Sequence, residues 1–268
     1  MSNLTAKVHI EEGRVRVEID GAVARLTFDR PAARNAMTWR MYDDLAEHCA
    51  RINADASIRL AVLRGAGGKA FVAGTDIEQF RQFASGQDGL NYEERIDGYI
   101  AALETLRVPS VAVIEGWAVG GGLLIANACD VRVALAGARF GVPIARTLGN
   151  CLSPTSLRRL VSTLGVSWVK RLLVLAELPT AEELSPLGYL AAVASDAVEL
   201  EARITEICGR LLSHAPITMR VARETLRRLE TNPLANADDL IEACYGSADF
   251  HRGVEAFVNK TPAQWQDR

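Results

Sequence analysis

The sequence has few of the residues that form disulfide frameworks or metal centres. It contains five cysteines and four histidines among 268 residues. The number of cysteines is odd and no pair has CxxC or CxxxC spacing, so neither a disulfide framework nor a structural zinc site is expected. The same cysteine usage favours a reducing compartment. We therefore predict that the protein has no metal centre.

Long apolar runs and an excess of basic charge are also lacking. Thirty Lys and Arg residues oppose 33 Asp and Glu residues, for a net charge of −3, whereas nucleic-acid binding usually requires a basic surplus. The most apolar region, residues 100–135, is interrupted by Arg107, Glu115 and Asp130 and does not suit a membrane span. The N-terminal residues look like neither a signal peptide nor a transit peptide. We expect a cytoplasmic protein without nucleic-acid or membrane partners.

Two nucleotide-binding motifs are missing as well. The phosphate-loop pattern GxxxxGK[ST] does not occur, since Lys69 is not followed by Ser or Thr. The dinucleotide pattern GxGxxG with a downstream ribose-binding carboxylate is also missing. These gaps argue against a phosphate-loop enzyme and a nicotinamide-dependent enzyme, so no separate cofactor is expected.

A glycine triplet that follows an apolar run is the most informative motif present. It lies in VIEGWAVGGGLLIANACD, residues 113–130. Three glycines leave no side chain between the backbone and a ligand. If residues 123–129 are helical, the free amides lie at a helix N-terminus and favour negative charge. Such a turn suits an anion or a transition-state oxyanion, but it also suits a tight strand-to-helix turn without a ligand.

A second segment of the same kind is LAVLRGAGGKAFVAGTDIEQF, residues 60–80. Residues 60–63 suit a short buried parallel strand, and residues 65–69 suit a turn. Residues 73–77 then open a helix that Asp76 can cap. Two such turns on opposite sides of one carbonyl oxygen would form an oxyanion hole.

Strand and helix patterns alternate along most of the chain. We predict strands at residues 15–19, 22–29, 60–64, 110–114 and 131–134, and helices at residues 39–53, 76–83, 95–105 and 122–128. This alternation favours an α/β fold with a mostly parallel sheet. Helix patterns alone follow from Ala197, at residues 198–213, 217–230 and 238–250. They indicate a helical element appended to the sheet.

The two glycine segments resemble the paired signatures of the crotonase (enoyl-CoA hydratase/isomerase) superfamily. Further segments look like other parts of that family, in the same order: LTFDRPAARNAM at residues 26–37, FGVP at residues 140–143 and DFHRGVEAFVNKTPAQW at residues 249–265. The resemblance covers about the whole chain. It implies an α/β spiral of strand–strand–helix units in residues 1–196, followed by a C-terminal helical trimerisation element in residues 197–268.

The resemblance also implies an assembly. In the resembled family the C-terminal portion builds a trimer and contributes to the neighbouring active site. A homotrimer or a dimer of trimers is therefore expected here, and the alternative is a lid formed within one chain.

Position by position, the resemblance assigns the oxyanion hole to the backbone N–H groups of Thr75 and Gly121. Because the main chain makes these contacts, we expect Thr75→Ala to matter little and Gly121→Val to block the acyl carbonyl. Coenzyme A is implied as part of the substrate, and its binding or that of the acyl group is assigned to Ala33, Arg34, Ala36, Ala73, Asp76, Ile77, Phe257 and Lys260. Arg34 suits a CoA phosphate, whereas Lys260 is interpreted equally well as a solvated surface lysine.

The chain departs from the family at the acid and base positions. Where a hydratase of this family has two glutamates that flank one water, this sequence has Leu124 and Ile144. No Asp or Glu occurs between Asp130 and Glu177, and we interpret Asp130 as a structural carboxylate at a helix end. Water addition assisted by those two carboxylates is therefore not expected.

Four other side chains are candidates for the acyl pocket. Tyr92 and Glu93 lie in a polar loop, residues 85–97, whose counterpart often covers that pocket, although the charged run at residues 93–95 also suits a solvated helix start. Arg146 suits a substrate carboxylate. Cys151 has no nearby histidine to activate it, and an isolated cysteine is more commonly a small hydrophobe.

Three functions stay open at this stage. The first is a lyase or isomerase that acts on acyl-CoA thioesters with an unusual acid and base. The second keeps the oxyanion hole for decarboxylation or thioester hydrolysis. The third is a CoA-binding protein without catalysis.

Overall fold

The strands form two sheets in the computed structural model, which describes residues 12–268. In chain order they are β1 (Arg14–Asp20), β2 (Val23–Asp29), β3 (Leu60–Gly65), β4 (Ala70–Val72), β5 (Ser110–Ile114), β6 (Trp117–Val119), β7 (Val131–Leu135), β8 (Arg139–Gly141) and β9 (Ala192–Ala194). The larger sheet has the order β1-β2-β3-β5-β7-β9 and the smaller one β4-β6-β8. Apart from the antiparallel β1–β2 pair, neighbouring strands are parallel.

Helices connect the strands and complete the chain. They are α1 (Trp39–Ala54), α2 (Gly86–Glu104), α3 (Gly121–Ala128), α4 (Pro154–Leu173), α5 (Ala181–Leu184), α6 (Ala197–Ser213), α7 (Pro216–Thr231), α8 (Asp238–Tyr245) and α9 (Ala248–Val258). The units β3–β4–α2, β5–β6–α3 and β7–β8–α4 each place one strand in the larger sheet, one in the smaller sheet and then a helix. This repeat confirms the predicted α/β spiral of strand–strand–helix units.

The parallel strands were predictable because they are nearly continuous apolar runs. Every residue of β5 is buried, as are all residues of β3 except Arg64, which is typical of strands covered on both faces. The short strands β4, β6, β8 and β9 were missed. Each has three residues, too few to show a pattern that differs from a loop.

Helix α6 covers one face of the larger sheet. Leu200, Ile204 and Cys208 recur every four residues on one side of the helix and pack in a core with Val62 and Val111 of the sheet. Residues 197–258 form helices with no strand between them, as predicted, and the first of these helices, α6, packs directly on the larger sheet. The division of the chain into domains at residues 196 and 197 stays a prediction.

Three predicted helix boundaries also differ from the structure. Helix α2 begins at Gly86, within the segment interpreted as a polar loop, because Asp88 accepts hydrogen bonds from the N–H groups of Ala84 (2.9 Å) and Ser85 (2.8 Å) and so caps it. The helix predicted at residues 76–83 is a single 3-10 turn, Ile77–Phe80. The helix predicted at residues 238–250 is divided at Ser247, which caps α9 by accepting from the Phe250 N–H at 3.0 Å.

No helix within residues 12–268 has both the length and the apolar composition that crossing a bilayer requires.

Candidate active site

Two glycine turns meet at one edge of the smaller sheet. Strands β4 and β6 are parallel neighbours, so their carboxyl ends lie at the same edge. β4 is followed by Gly74 and Thr75, and β6 is followed by Gly120 and Gly121, the latter opening α3. The two predicted strand–turn–helix units are thus adjacent in space.

The turns approach closely because glycine occupies the contact positions. A Cβ atom at Gly122 would lie only 2.0 Å from the carbonyl oxygen of Val72, so no side chain fits there. A Cβ atom at Gly120 would lie 3.5 Å from Cα of Gly74. The glycine triplet therefore brings the start of α3 against the end of β4.

The N–H groups of Thr75 and Gly121 are both unused. Met37 donates its N–H to the Gly74 carbonyl (2.8 Å) and accepts from the Asp76 N–H (2.9 Å), so the Thr75 N–H, which alternates with these groups, faces away from Met37. Gly121 is the first residue of α3, where an N–H has no acceptor within the helix. Neither amide has an acceptor in the part of the chain that the structure describes.

Both turns line one cavity of about 220 Å³. Its other walls come from α2, which contributes Tyr92, Glu93 and Ile96, and from the segment after β8, which contributes Pro143, Ile144, Thr147, Leu148, Asn150 and Leu152. Most of this lining is apolar. The polar groups are the two turns, Glu93 and a few hydroxyl and amide side chains, an arrangement typical of a small-molecule site.

Glu93 is the only carboxylate that lines this cavity among the described residues. It is half-buried, and its Oε2 accepts a hydrogen bond of 2.6 Å from the Ser153 N–H. Burial raises the pKa of Glu93 above its usual range, nearby Asp97 raises it further, and the Ser153 hydrogen bond opposes both effects. Glu93 therefore does not belong to a solvated helix start, which was the alternative interpretation. It lies within α2 and presents a carboxyl of raised pKa at the wall of the cavity.

A chain of hydroxyl groups runs beside the two glycine turns. Oγ1 of Thr75 lies 2.8 Å from the hydroxyl oxygen of Tyr42 and 2.8 Å from that of Tyr92. The Tyr42 side chain is fully buried, whereas Tyr92 lines the cavity. The expectation that Thr75 acts through its main chain alone is therefore incomplete, since its side chain joins two tyrosines.

The two residues that stand in place of the family's glutamates, Leu124 and Ile144, lie in different environments. Ile144 lines the cavity. Leu124 points into the core and is only 3% exposed. Its side chain is not among the groups that line the cavity.

Four of the residues predicted to bind coenzyme A, namely Ala33, Arg34, Ala36 and Ala73, lie close together. The segment from Ala33 to Ala36 crosses next to Ala73, which donates its N–H to the Arg34 carbonyl at 3.1 Å, so that amide is occupied. Arg34 itself is exposed and has a left-handed backbone with φ of 51°. The structure thus supports the proximity of Ala33, Arg34, Ala36 and Ala73, while their contacts with a ligand stay a prediction.

Sequence reasoning missed Asn35, which holds this loop. Asn35 is fully buried and has a φ of 57°. Its Oδ1 accepts from the Arg30 N–H (3.0 Å), and its Nδ2 donates to the carbonyls of Ala66 (3.0 Å) and Ala70 (2.8 Å). Asparagine tolerates the left-handed region of backbone conformation, so an asparagine within this loop was the signal that could have indicated its role in the turn.

Asp76 and Ile77 follow Thr75 but differ in environment. Asp76 forms an ion pair with Arg30 (2.7 Å) and accepts from the Glu78 N–H (3.1 Å), so both carboxylate oxygens have protein partners. It does not line the cavity, whereas Ile77 does and is 58% exposed.

Four other predicted residues lie outside the cavity as formed within residues 12–268. Arg146 and Cys151 are exposed and absent from its lining. Phe257 is 86% exposed and borders a separate apolar groove between α7, α8 and α9. Lys260 follows α9 and is exposed.

Asp130 has the structural position that was expected. Its Oδ2 accepts from the N–H (2.7 Å) and the hydroxyl (3.0 Å) of Ser110, and its Oδ1 pairs with Arg223 at 2.6 Å. It holds the start of β5 against α7 and is not part of the cavity.

Comparisons with known proteins agree with this geometry. Residues 18–268 match the sequence model of the enoyl-CoA hydratase/isomerase family. The chain is 29% identical over 258 residues to a short-chain-enoyl-CoA hydratase of Clostridium acetobutylicum, covering 94% of this chain and 97% of that protein. It is 28% identical over 250 residues to a 2,3-dehydroadipyl-CoA hydratase of Escherichia coli, covering 92% and 96% of the two. A solved structure of an enoyl-CoA hydratase/isomerase family protein from Hyphomonas neptunium superimposes with a TM-score of 0.86 at 30% identity, covering 95% of this chain and 98% of that one.

Proposed function

Because this chain belongs to the enoyl-CoA hydratase/isomerase family of acyl-CoA enzymes, we propose that it stabilises the enolate of a bound acyl-CoA thioester. The thioester oxygen accepts hydrogen bonds from the N–H groups of Thr75 and Gly121. Removing one donor of this kind typically costs about 3 kcal/mol of transition-state stabilisation. The coenzyme portion lies along the loop that contains Arg34.

One observation carries the proposal. The free amides of Thr75 and Gly121 and the carboxyl of Glu93 belong to the same small cavity. Amide donors stabilise a developing oxyanion, and a half-buried carboxylate whose pKa is raised by burial is a stronger base than an ordinary glutamate. Together they supply the two functions that enolate chemistry needs.

We assign the proton transfer to Glu93. As a base its carboxylate takes the proton from carbon 2 of the acyl group, and the C–H electron pair becomes the enolate held by the two amides. For a 3-enoyl thioester, return of that proton to carbon 4 of the conjugated enolate gives the 2-enoyl isomer. Departure of a group other than hydroxide from carbon 3, with its bonding electron pair, converts the enolate into a 2-enoyl thioester and is lyase chemistry. The protein is thus proposed to be a lyase or an isomerase.

Rapid hydration of crotonyl-CoA is not part of the proposal. Leu124 and Ile144 replace the two carboxylates that the family resemblance associates with water addition. Each general acid or base contributes about a hundred- to ten-thousand-fold, and the two effects need not add because both groups act on one water. We expect hydration to be slower by several orders of magnitude than in an efficient hydratase.

Decarboxylation and thioester hydrolysis are weaker alternatives. Arg146, the side chain that suited a substrate carboxylate, is exposed and does not line the cavity. Glu93 would also repel a second carboxylate in so small a space. Neither observation bears on a CoA-binding protein without catalysis, which only turnover can distinguish.

A panel of acyl-CoA substrates tests the proposal. Purified protein is incubated with crotonyl-, 3-enoyl-, 3-hydroxyacyl- and methylmalonyl-CoA, and products are separated by chromatography. We expect double-bond migration in the 3-enoyl-CoA, with slow crotonyl-CoA hydration and equally slow dehydration of the 3-hydroxyacyl-CoA, which is the reverse reaction. Release of CO2 or free coenzyme A would favour the alternatives, and binding without any turnover would exclude the proposed catalysis.

We also propose that the protein assembles as a homotrimer or a dimer of trimers. Helices α7, α8 and α9 and the loop after α7 expose large apolar side chains, including Leu226, Leu234, Phe257 and Val258. Such a surface needs a cover in water. Assembly would also bring Phe257 and Lys260 near the CoA loop of a neighbouring subunit, where the family resemblance assigns them.

A further inference from the structure

Three hydroxyl groups connect the protein core to the cavity wall. Tyr42 is fully buried, and its hydroxyl lies 2.8 Å from Oγ1 of Thr75. The same Oγ1 lies 2.8 Å from the hydroxyl of Tyr92, which borders the cavity. Within residues 12–268, the Tyr42 hydroxyl has no hydrogen-bond partner other than Thr75.

The number of protons determines how this chain is oriented. Each hydroxyl carries one proton, so two hydrogen bonds leave one proton of the three unused. If Tyr92 donated to Thr75 and Thr75 donated to Tyr42, the unused proton would lie on Tyr42, buried and without an acceptor. A buried donor without an acceptor is costly, so Tyr42 donates to Thr75.

With Tyr42 as a donor, the unused proton lies at the cavity. Hydrogen bonds that point in one direction along a chain strengthen one another, which favours donation from Thr75 to Tyr92. The proton of Tyr92 is then the one without a protein acceptor. Burial raises the pKa of Tyr92 to about 12, so this phenol stays protonated in neutral solution.

The Tyr92 ring is held in a fixed place by other aromatic rings. Its centroid lies 4.8 Å from that of Phe80, 5.8 Å from that of Trp39 and 5.9 Å from that of Phe83. Such packing restricts the side chain, so a hydrogen bond from its hydroxyl needs little further ordering.

We propose that Tyr92, oriented by Thr75 and Tyr42, donates a hydrogen bond to an oxygen on carbon 2 or carbon 3 of the bound acyl group. This inference rests on the proposed function, in which the Thr75 N–H binds the thioester oxygen. Because the Tyr92 hydroxyl is one hydrogen bond away from the Thr75 side chain, its partner must lie on one of the first acyl carbons. Tyr92 is a substrate-binding residue, while Tyr42 and the Thr75 hydroxyl are positioning residues.

The test compares ligands that differ by one oxygen. Calorimetry gives the dissociation constants of butyryl-CoA, 2-hydroxybutyryl-CoA and 3-hydroxybutyryl-CoA, and chromatography after each titration verifies that the ligand is intact. One hydrogen bond corresponds to about a two- to tenfold preference for a hydroxyacyl ligand over butyryl-CoA. Tyr92→Phe should remove the preference, so that the variant binds the hydroxyacyl ligands no more tightly than butyryl-CoA.

The positioning residues are tested by the same preference, expressed as the ratio of the affinity for a hydroxyacyl ligand to the affinity for butyryl-CoA. Thr75→Val should reduce the preference although the residue keeps its backbone N–H, and Thr75→Ser should retain it. Tyr42→Phe should reduce it from outside the cavity. The matched control is Tyr189→Phe, since the Tyr189 hydroxyl is also buried but has no partner among the described residues and does not line the cavity; its ratio should equal that of the wild type.

The outcomes separate this inference from the proposed function. Equal affinities of the wild type for all three ligands, or a preference that survives Tyr92→Phe, would overturn the role of Tyr92. An equal ratio for Thr75→Val and Thr75→Ser would overturn the hydroxyl chain, and this pair remains informative if Tyr92→Phe does not fold. Failure of the wild type to bind butyryl-CoA at all would instead contradict the proposed function.

Discussion

The hydroxyl of Tyr42 lies against the position that a side chain on Gly121 would occupy. A Cβ atom built on Gly121 would be 2.5 Å from the Tyr42 hydroxyl oxygen and 3.5 Å from Oγ1 of Thr75. The Cβ atom of any Gly121 substitution therefore meets the Tyr42 hydroxyl in the core. Gly121→Val is thus expected to disturb this packing as well as to block the acyl carbonyl.

The contact predicts that Gly121→Ala is destabilising and that Tyr42→Phe relieves it. The added methyl group overpacks the core, which typically costs about 1–3 kcal/mol. Without the Tyr42 hydroxyl, the nearest ring carbon, Cζ, is 3.8 Å from the new Cβ, an ordinary contact. Urea unfolding of both single variants and the double variant gives the interaction free energy.

The double variant should be more stable than the sum of the single changes predicts. A strictly additive result would mean that the Tyr42 hydroxyl is not what Gly121 accommodates. Thr75→Ser combined with Gly121→Ala serves as the control, because the Thr75 side chain is already at an ordinary contact distance.

The assignment of Glu93 predicts a specific loss of activity. Glu93→Gln removes the ionisable group but keeps a similar shape, so turnover should fall by about a hundred- to ten-thousand-fold. In the wild type, activity should fall as pH decreases through the pKa of Glu93. Because burial raises that pKa, the acid limb of the pH–rate profile should lie at a higher pH than an ordinary glutamate would give.

Glu94→Gln is the matched control for this change. Glu94 adjoins Glu93 but is exposed and does not line the cavity, so its pH–rate profile should resemble that of the wild type. If Glu93→Gln and Glu94→Gln lost turnover equally, the base would not be Glu93. The same conclusion would follow if Glu93→Gln still lost activity at low pH as the wild type does.

Glu93 should also affect stability, with a defined sign. Its pKa is higher in the folded state than in the unfolded state, so over the pH range between the two values the folded state binds more protons. The contribution of Glu93 to the free energy of unfolding therefore decreases as pH rises through that range. Urea unfolding of the wild type relative to Glu93→Gln across this range should show the decrease, and a rise would contradict the pKa direction.

Asn35 is expected to support both stability and CoA binding. Asn35→Ala leaves buried groups of the loop without their partner, including the Arg30 N–H, at a cost of about 1–3 kcal/mol. Urea unfolding and calorimetry with butyryl-CoA measure the two effects. Asn91→Ala, at an exposed position on α2, should change neither, and an equally small effect at Asn35 would show that the loop does not depend on it.

The apolar surface of the last three helices predicts assembly. Sedimentation at micromolar concentration should give a trimer or a hexamer, and Phe257→Glu should shift it towards smaller species, since Phe257 is 86% exposed in one chain. Ile19→Glu, a comparable change at a residue of β1 that is 51% exposed and lies outside the last three helices, should leave the assembly intact. A monomeric wild type would refute the proposal.

Much of the fold could be predicted because its signals are local. The buried strands β3 and β5 are apolar runs, and the glycine turns at Gly74 and Gly120, which follow β4 and β6, are visible in the sequence itself. The start of α2 was less accessible, since its first half is polar and exposed. Its capping residue, Asp88, was the signal that could have located it.

The cavity walls depend on contacts between distant parts of the chain. Thr75 is separated by 33 residues from Tyr42 and by 17 from Tyr92, and no local pattern indicates that their hydroxyls meet. The hydrogen bond that fixes Glu93 comes from Ser153, 60 residues away. Sequence reasoning could nominate Tyr92 and Glu93 as candidates, but only the packing of α2 against α4 brings Glu93 to its partner.

Exchange of the carbon-2 protons of a saturated acyl-CoA tests the central claim most directly. Butyryl-CoA offers no double bond and no leaving group, so in deuterium oxide the only reaction expected is enolate formation and its reversal. The account predicts that the protein incorporates deuterium at carbon 2, as followed by proton NMR, and that Glu93→Gln suppresses the incorporation while Glu94→Gln does not. Binding of butyryl-CoA without exchange by the wild type would contradict the claim that Thr75, Gly121 and Glu93 form an enolate-stabilising site.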